Sequence, residues 1–226
     1  MANDETTPEF DSDFTELLRQ RDRLQEQLVE PLLPYESYPE TGLGYAMSAM
    51  GFMMGRNRYV DQYGFVLLTR ECVDAICALV AGKLVLEVGA GTGFLAHCLA
   101  EQGVKIVAQD MTSPEDGSKY FSPKKPWKLD HVGPFEERLT AEFGFVLMSW
   151  PCMGTPFAMN VAKSMVPGQV LIYQGEGWGG CTAADDFFEY IDGPEWEVQS
   201  DATSSLNEHH RQFPAIHDRW LVIKKK

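Results

Sequence analysis

The sequence predicts an α/β domain with an open, mostly parallel seven-stranded sheet and helices on both faces, preceded by an N-terminal helical extension. Two observations predict this fold class. Apolar runs of strand length alternate with helix-like runs from about residue 69 onward, with short connections between them. A glycine-packed turn at residues 89–93 also joins an apolar run directly to a helix-like run. Such alternation is typical of a parallel sheet that is covered on both faces.

The first part of the chain, residues 1–62, is predicted to form an extension, and residues 63–226 are predicted to form the α/β domain. Residues 1–12 are polar and acidic, as disordered segments are. Residues 41–62 are rich in methionine and glycine. This composition predicts either an adaptable apolar surface, such as a substrate lid or a partner site, or a small-residue helix packed against the core.

One amphipathic helix is predicted within the extension. Asp13 is suited to cap its first turn, with Glu16 three residues on, and Pro31 ends it. Leucines recur on one face, at Leu17, Leu24 and Leu28. Because the rest of the helix is richly charged, we expect it to pack across the main domain or to mediate self-association.

The elements of the domain follow in a regular order. A helix is predicted after Thr69, with its apolar residues at helical spacing up to Val80 and Gly82 at its end. Strands are predicted near 83–88, 104–108, 129–133, 144–149, 168–173, 196–200 and 219–224. Helices are predicted near 94–102, 135–142, 156–165 and 184–192.

The turn after the first strand has the features of a ligand site. Glu87 closes the strand, and Gly89, Gly91 and Gly93 surround Ala90 in the turn before a helix. Glycines allow a tight turn and a close ligand approach, and the helix N-terminus adds unpaired N–H groups. The glycine spacing is one residue tighter than a dinucleotide motif, and the carboxylate would repel a diphosphate. A cationic, phosphate-free ligand therefore suits the turn better than another nucleotide, and a structural turn without ligand is the remaining alternative.

Residues 87–93, Glu-Val-Gly-Ala-Gly-Thr-Gly, resemble the first motif of the class I S-adenosylmethionine-dependent methyltransferases, whose fold is Rossmann-like. The resemblance implies that S-adenosyl-L-methionine is the cofactor and that the glycine turn lies against its methionine part. It also implies a seven-stranded sheet whose final strand is antiparallel. The expected activity is direct in-line transfer of a methyl group to an acceptor.

Carboxylates at the next strand ends are candidates for the rest of the cofactor. Asp110 ends the second strand, 23 residues after Glu87, and there the resemblance implies a bidentate acceptor for both ribose hydroxyls. A helix-capping aspartate is the alternative. For the adenine amino group the sequence offers four competing residues and does not choose between them: Asp130, His131, Glu136 and Glu137.

The fourth strand leads into Ser149-Trp150-Pro151-Cys152-Met153, where amino-methylating relatives carry a (Asp/Asn/Ser)-Pro-Pro-Tyr tetrapeptide. The polar residue is displaced here to Ser149, which is also a candidate cofactor-binding residue. The second proline is missing, and so is the stacking aromatic residue. Trp150 is a candidate catalytic-site residue because it could replace that stacking function. Methylation of a base or amide amine therefore stays an alternative.

Two further segments contribute candidate site residues. Glu176 lies among glycines after the fifth strand, where a carboxylate is either a general base, a clamp on an amine or cationic substrate, or a helix cap. Trp178 in the same loop could cover the ligand. Tyr63, with its neighbours up to Phe65, either folds over the methionine end of the cofactor or packs in the core.

The net charge of −14 disfavours a long nucleic acid as partner, because such binding depends on Lys and Arg neutralising phosphates. The small basic clusters 124–125 and 224–226 are interpreted as solvated surface charge. We therefore expect a small molecule or a protein side chain as acceptor. Two other classes of function remain open: a non-catalytic S-adenosylmethionine-binding or partner-binding module, and a nucleotide-dependent oxidoreductase.

The cysteines and histidines indicate the compartment and argue against a metal site. The five cysteines are odd in number and lack metal-ligand spacing, which favours a reducing, cytoplasmic environment. Neither a secretory signal nor a membrane-spanning run is predicted. His209, His210 and His217 complete no recognised ligand spacing, so no metal is expected.

Overall fold

The computed structural model describes residues 56–57, 59–111, 126–135, 142–213 and 216–226. Its strands are β1 (Leu84–Val88), β2 (Lys105–Asp110), β3 (His131–Val132), β4 (Phe145–Ser149), β5 (Val170–Gly175), β6 (Trp196–Val198) and β7 (Arg219–Lys225). Its helices are α1 (Arg70–Val80), α2 (Phe94–Glu101), α3 (Phe157–Ser164), α4 (Asp185–Ile191) and α5 (Ser200–His209). A short helical segment over residues 59–63 precedes α1. None of the described helices is long and apolar enough to cross a membrane.

The seven strands form one sheet in the order β3-β2-β1-β4-β5-β7-β6. Strands β1 to β5 are parallel, and β7 runs antiparallel to both β5 and β6. This arrangement confirms the predicted fold class, including the antiparallel final strand. Because β1 lies between β2 and β4, the chain changes direction across the sheet after β3. The carboxyl ends of β1 and β4 therefore flank the switch point at which open α/β sheets bind ligands.

Helices cover both faces of the sheet, which explains why the central strands read as nearly continuous apolar runs. Helices α1, α2 and α5 pack on one face, where Val85 and Leu147 point. Helices α3 and α4 pack on the other face, against Leu86 and Met148. Consecutive strand residues point to opposite faces, so each of the strands β1, β2, β4, β5 and β7 contributes to both cores.

The region after β6 differs from the prediction. A strand was expected over 196–200, but β6 ends at Val198 and α5 begins at Ser200. Only Leu206 of α5 is buried, so the helix lacks the apolar stripe by which sequence analysis finds helices. Instead, the Asn207 side chain joins α5 to β7, with Nδ2 donating to the Trp220 carbonyl at 2.8 Å and Oδ1 accepting the Trp220 N–H at 2.9 Å.

Several predicted elements fall on residues outside the described ranges. These include the N-terminal amphipathic helix, most of the segment 41–62, and residues 136–141 of the helix predicted at 135–142. The boundary between extension and domain at residue 62 also stays a prediction. The third strand is described, but His131–Val132 is shorter than the predicted 129–133.

Candidate functional site

The glycine turn follows β1 at the switch point of the sheet. Gly89, Gly91 and Gly93 have φ values of +66°, +55° and +69°, in the left-handed region where a side chain is strained. The Ala90 N–H donates to the Gln109 carbonyl of β2 at 3.0 Å, and the Gly93 N–H donates to the Ala90 carbonyl at 2.8 Å. The turn is therefore a fixed structure that is attached to the neighbouring strand.

The third glycine makes room for the protein's own chain. A Cβ at Gly93 would collide with the backbone carbonyl of Lys128. The preceding residue, Trp127, donates its backbone N–H to the Thr92 carbonyl at 2.8 Å. Residues 126–128 therefore cross directly over the turn, which accounts for a glycine at this position without a ligand. The predicted contact of Gly93 with the cofactor stays a prediction.

The structure brings Asp110 and the glycine turn together, and their roles in one cofactor site stay a prediction. The Gly91 N–H donates to Asp110 Oδ2 at 2.8 Å. Since Asp110 ends β2, this bond fixes a carboxylate beside the turn at the carboxyl edge of the sheet. The observed partner lies in the turn, so the carboxylate is well placed to serve a ligand held there.

Glu87 is almost completely buried, with 2% of its surface exposed. Its Oε2 has no hydrogen-bond partner among the described residues. Burial raises the pKa of Glu87 to about 8; a hydrogen bond from the backbone of Ala96 in α2 opposes this rise, and the Asp110 carboxylate adds to it. Glu87 pairs with Ala108, so Asp110 two residues on points to the same sheet face. Two carboxyl groups thus face one region behind the turn.

Two of the four adenine candidates, Asp130 and His131, lie within the described residues. Asp130 Oδ2 accepts the Ala108 N–H at 2.8 Å, and Oδ1 pairs with Lys128 Nζ at 2.9 Å. Although partial burial would raise its pKa, the Ala108 N–H and Lys128 hold the pKa of Asp130 below its usual range. Asp130 is therefore occupied by the fold itself, while His131 in β3 is exposed. Glu136 and Glu137 lie outside the described residues.

The segment after β4 is held by β5 and by an aromatic neighbour. The Trp150 N–H donates to the Gln174 carbonyl at 2.8 Å, and Ser149 Oγ donates to Gln174 Oε1 at 3.2 Å. Trp150 has a φ of +48°, which is unusual for a residue with a large side chain. Its ring stacks on Phe65, with ring centroids 5.0 Å apart and planes inclined by 16°.

A buried carboxylate that was not predicted from the sequence lies beside this segment. Asp218, just before β7, accepts from Trp150 Nε1 at 3.0 Å and from Gln174 Nε2 at 2.6 Å, both on Oδ2. Its Oδ1 lies 3.0 Å from His210 Nε2. The contact between Asp218 and Gln174 joins residues far apart in sequence, so no local motif could reveal it. The one available signal was an acidic residue directly before an apolar strand.

Glu176 has two backbone partners. Its Oε2 accepts the Cys181 N–H at 2.7 Å, and its Oε1 accepts the His217 N–H at 3.1 Å. These two hydrogen bonds hold the pKa of Glu176 below its usual range. A carboxylate that is stabilised in its ionised form is a weak base, so the geometry speaks against general-base catalysis. Glu176 instead fixes the loop after β5 against the segment before β7.

Two aromatic candidates, Tyr63 in the short helical segment and Trp178 after β5, have different surroundings. Tyr63 packs between Tyr59 and Phe94, with ring centroids 4.9 Å from each, which matches the core-packing interpretation. Its carbonyl accepts Thr92 Oγ1 at 3.0 Å, so it still touches the glycine turn. Trp178 is 57% exposed, and its Nε1 donates to Asp192 at 3.2 Å.

The polar residues that the structure places do not assemble a metal centre. Within the described ranges, no group of three or more His, Cys, Asp or Glu is arranged to hold a metal ion. His210 contacts Asp218 instead. The five cysteines, all of them described, form no disulfide with one another.

Comparison with known proteins gives likeness at the level of structure. Neither a family model nor a curated protein matches the sequence. Among solved structures, the CcbJ methyltransferase from Streptomyces caelestis is 15% identical with a TM-score of 0.43, covering 70% of this chain and 94% of that one. A TehB-like S-adenosylmethionine-dependent methyltransferase from Corynebacterium glutamicum is 14% identical with a TM-score of 0.46, covering 80% and 96%. The tRNA methyltransferase TrmK from B. subtilis is 10% identical with a TM-score of 0.45, covering 71% and 68%.

These three neighbours are methyltransferases. Residues 87–93 resemble a motif of the class I S-adenosylmethionine-dependent methyltransferases. One of the three neighbours is a tRNA methyltransferase, and the names of the other two state no acceptor. At such identities and TM-scores the likeness assigns no substrate to this chain.

Proposed function

We propose that the protein is an S-adenosylmethionine-dependent methyltransferase that transfers a methyl group directly, in line, to an acceptor at the carboxyl ends of β4 and β5. The observation that carries the proposal is the hydrogen bond from the Gly91 amide to Asp110 Oδ2. It joins the turn after β1 to the carboxylate after β2, and these are the two parts that hold one nucleoside-bearing ligand at a switch point.

The chemistry of the turn fits this cofactor better than a dinucleotide. S-adenosylmethionine carries a sulfonium and an ammonium group and no phosphate. Glu87 and Asp110 point to one sheet face. There the Asp110 carboxylate attracts such charges and repels a diphosphate, and Glu87 adds to both effects once it ionises. Glu87 Oε2 also lacks a partner among the residues that the structure places, so it has capacity for one more hydrogen bond. These features argue against the oxidoreductase alternative.

We propose roles for the chain's own residues that agree with their positions. Asp110 is proposed to accept the ribose hydroxyls, and the backbone of Gly89, Ala90 and Gly91 to lie against the methionine part. When bound, the cofactor supplies an electrophilic methyl group on a good leaving group. The protein then has to align the acceptor and exclude water, and such alignment supplies much of the rate.

The acceptor is proposed to be a small molecule or a protein side chain, because the net charge of −14 opposes binding of a long nucleic acid. Trp150 and Ser149 are proposed to line the acceptor side. Glu176 is proposed to fix the loop beside them, and a clamp on an amine would suit its low pKa better than proton abstraction. Cysteines without disulfides suit the proposed cytoplasmic, reducing compartment.

Calorimetric titration with S-adenosylmethionine and S-adenosylhomocysteine tests the proposal. Gly91→Val should weaken binding of both at least tenfold, because valine is strained at a φ of +55° and would disturb the amide that contacts Asp110. Gly103→Val is the matched control, since Gly103 has a φ of +83° and nothing within 4 Å of a Cβ. Wild-type protein that binds neither compound, or that binds NADH instead, would overturn the proposal. Binding without transfer of labelled methyl to any small-molecule or protein acceptor would favour the non-catalytic module.

A further inference from the structure

A buried hydrogen-bond network connects the carboxyl ends of β4 and β5 to the start of β7. Asp218 is 2% exposed, and Gln174 is fully buried. Asp218 Oδ2 accepts from two donors, Trp150 Nε1 and Gln174 Nε2, and Gln174 Oε1 in turn accepts from Ser149. The network therefore ends at Ser149 and Trp150, which are the two residues proposed to line the acceptor side.

The direction of each hydrogen bond in this network is fixed by chemistry. An indole Nε1 can only donate, so Asp218 Oδ2 must accept from it. A carboxylate oxygen can only accept, so the Gln174 atom beside the same oxygen is the amide nitrogen, which turns Gln174 Oε1 towards Ser149. Because Oε1 can only accept, the Ser149 hydroxyl must donate to it. The lone pairs of Ser149 Oγ are left to accept from another group.

The same carboxylate also fixes the Trp150 ring. The backbone of Trp150 is held at a φ of +48°, and such a conformation persists only where the surroundings determine it. Three contacts do so: the backbone N–H bond to Gln174, the stacking on Phe65, and the bond from Nε1 to Asp218. Asp218 thus controls the orientation of one side chain and the hydrogen-bonding polarity of another.

We propose that Asp218 is a positioning residue of the acceptor site, which holds the Trp150 ring and, through Gln174, makes Ser149 a hydrogen-bond acceptor for an N–H or O–H group of the methyl acceptor. The second half of this statement rests on the proposed methyltransferase function. The proposed role of Ser149 also specifies the substrate class. An amine, amide or hydroxyl compound fits the site because it offers an N–H or O–H donor, whereas a carboxylate or a thioether offers none.

The network is tested first, without any ligand, by ¹⁵N NMR of the indole and side-chain amide groups. Trp150→Phe and Gln174→Leu assign the two resonances. Both N–H groups should exchange slowly in the wild type, and rapid exchange of either would overturn the network. Asp218→Ala should move the Trp150 indole resonance, whereas Asp218→Asn should largely restore it because asparagine offers an oxygen to the same donors. An unmoved resonance in folded Asp218→Ala would also overturn it. The wild-type exchange measurement remains decisive if that variant does not fold.

The substrate class is tested with phenol and its methyl ether anisole, which differ in one O–H donor. Each is titrated into protein saturated with S-adenosylhomocysteine and followed by the Ser149 backbone amide resonance. Phenol should bind about 2- to 10-fold more tightly, the net value of one neutral hydrogen bond, and Ser149→Ala should abolish the difference. Equal affinities, including no binding of either compound, would overturn the assignment of Ser149. Failure of S-adenosylhomocysteine to bind would instead count against the proposed function and leave the NMR result on Asp218 intact.

Discussion

Replacing Glu87 by glutamine should make the protein more resistant to unfolding, and increasingly so as the pH rises from 5 to 8. The carboxyl group is 2% exposed, and its Oε2 has no partner among the described residues, so its ionised form is poorly compensated. Burial raises the pKa of Glu87 to about 8 from a usual value of 4.5. Glutamine has the same shape and can still accept the Ala96 backbone hydrogen bond, but it never ionises.

The sign and size of the effect follow from proton linkage. Below pH 4.5 the carboxyl is protonated in both the folded and the unfolded chain, so Glu87 carries no penalty. Above that pH Glu87 ionises in the unfolded chain but keeps its proton in the folded chain. The free energy of unfolding of the wild type therefore falls by about 1.4 kcal/mol per pH unit until about pH 8. Between pH 5 and pH 8 the stability of Glu87→Gln relative to the wild type should therefore rise by about 4 kcal/mol.

Urea unfolding of the wild type and the variant at four pH values across this range measures the difference directly. Glu176→Gln is the control with opposite electrostatics, because two backbone N–H groups lower the pKa of Glu176. That variant should be less stable than the wild type by a constant amount between pH 5 and 8, with the difference vanishing only as the pH falls through the folded pKa. A pH-independent difference for Glu87→Gln would refute the assignment of a buried, uncompensated carboxyl.

Three further predictions follow from described contacts. Gly93→Ala should lower the free energy of unfolding by about 2–5 kcal/mol in urea, because its Cβ collides with the Lys128 backbone in addition to being strained at a positive φ. Gly103→Ala is the control and should lose only the strain of about 1–2 kcal/mol. Equal losses of unfolding free energy in the two variants would contradict the close approach of Lys128 to Gly93. Tyr173→Phe should cost about 1–2 kcal/mol of unfolding free energy, since its buried hydroxyl is bonded to Thr182 Oγ1 at 2.7 Å, and an unchanged midpoint would contradict this. The affinity for S-adenosylmethionine in calorimetry should rise between pH 6 and 8, because a cationic ligand favours the ionised Glu87; Glu87→Gln should show no such rise.

The fold could be predicted wherever burial leaves a pattern in the sequence. Val85 and Leu86 point to opposite cores, and this two-sided burial produces the apolar runs from which the parallel strands were predicted. The helix α5 left no such pattern, because a side-chain amide, that of Asn207, rather than an apolar stripe attaches it to β7. Periodicity therefore fails where polar contacts replace apolar packing.

The parts of the candidate site that sequence could bring together lie on two strands that follow one another in the chain. Glu87 and the glycine turn are contiguous, and Asp110 lies at the end of the next strand, so strand order alone brings them together. Asp218 reaches Trp150 and Gln174 because β7 inserts beside β5, and that adjacency depends on the whole sheet. Residues joined only by tertiary structure have no common sequence signal.

The segment of residues 126–128 that crosses the glycine turn has a consequence for the order in which the chain folds. The turn is a short local motif, yet Gly93 packs against the distant Lys128 backbone. The Thr92 carbonyl likewise accepts its hydrogen bond from the distant Trp127 N–H. Contacts between distant parts of a chain form late because the intervening loop must first close. A nascent chain that has emerged only as far as β2 would hold the complete glycine turn and still lack the contacts that complete the site of the proposed cofactor.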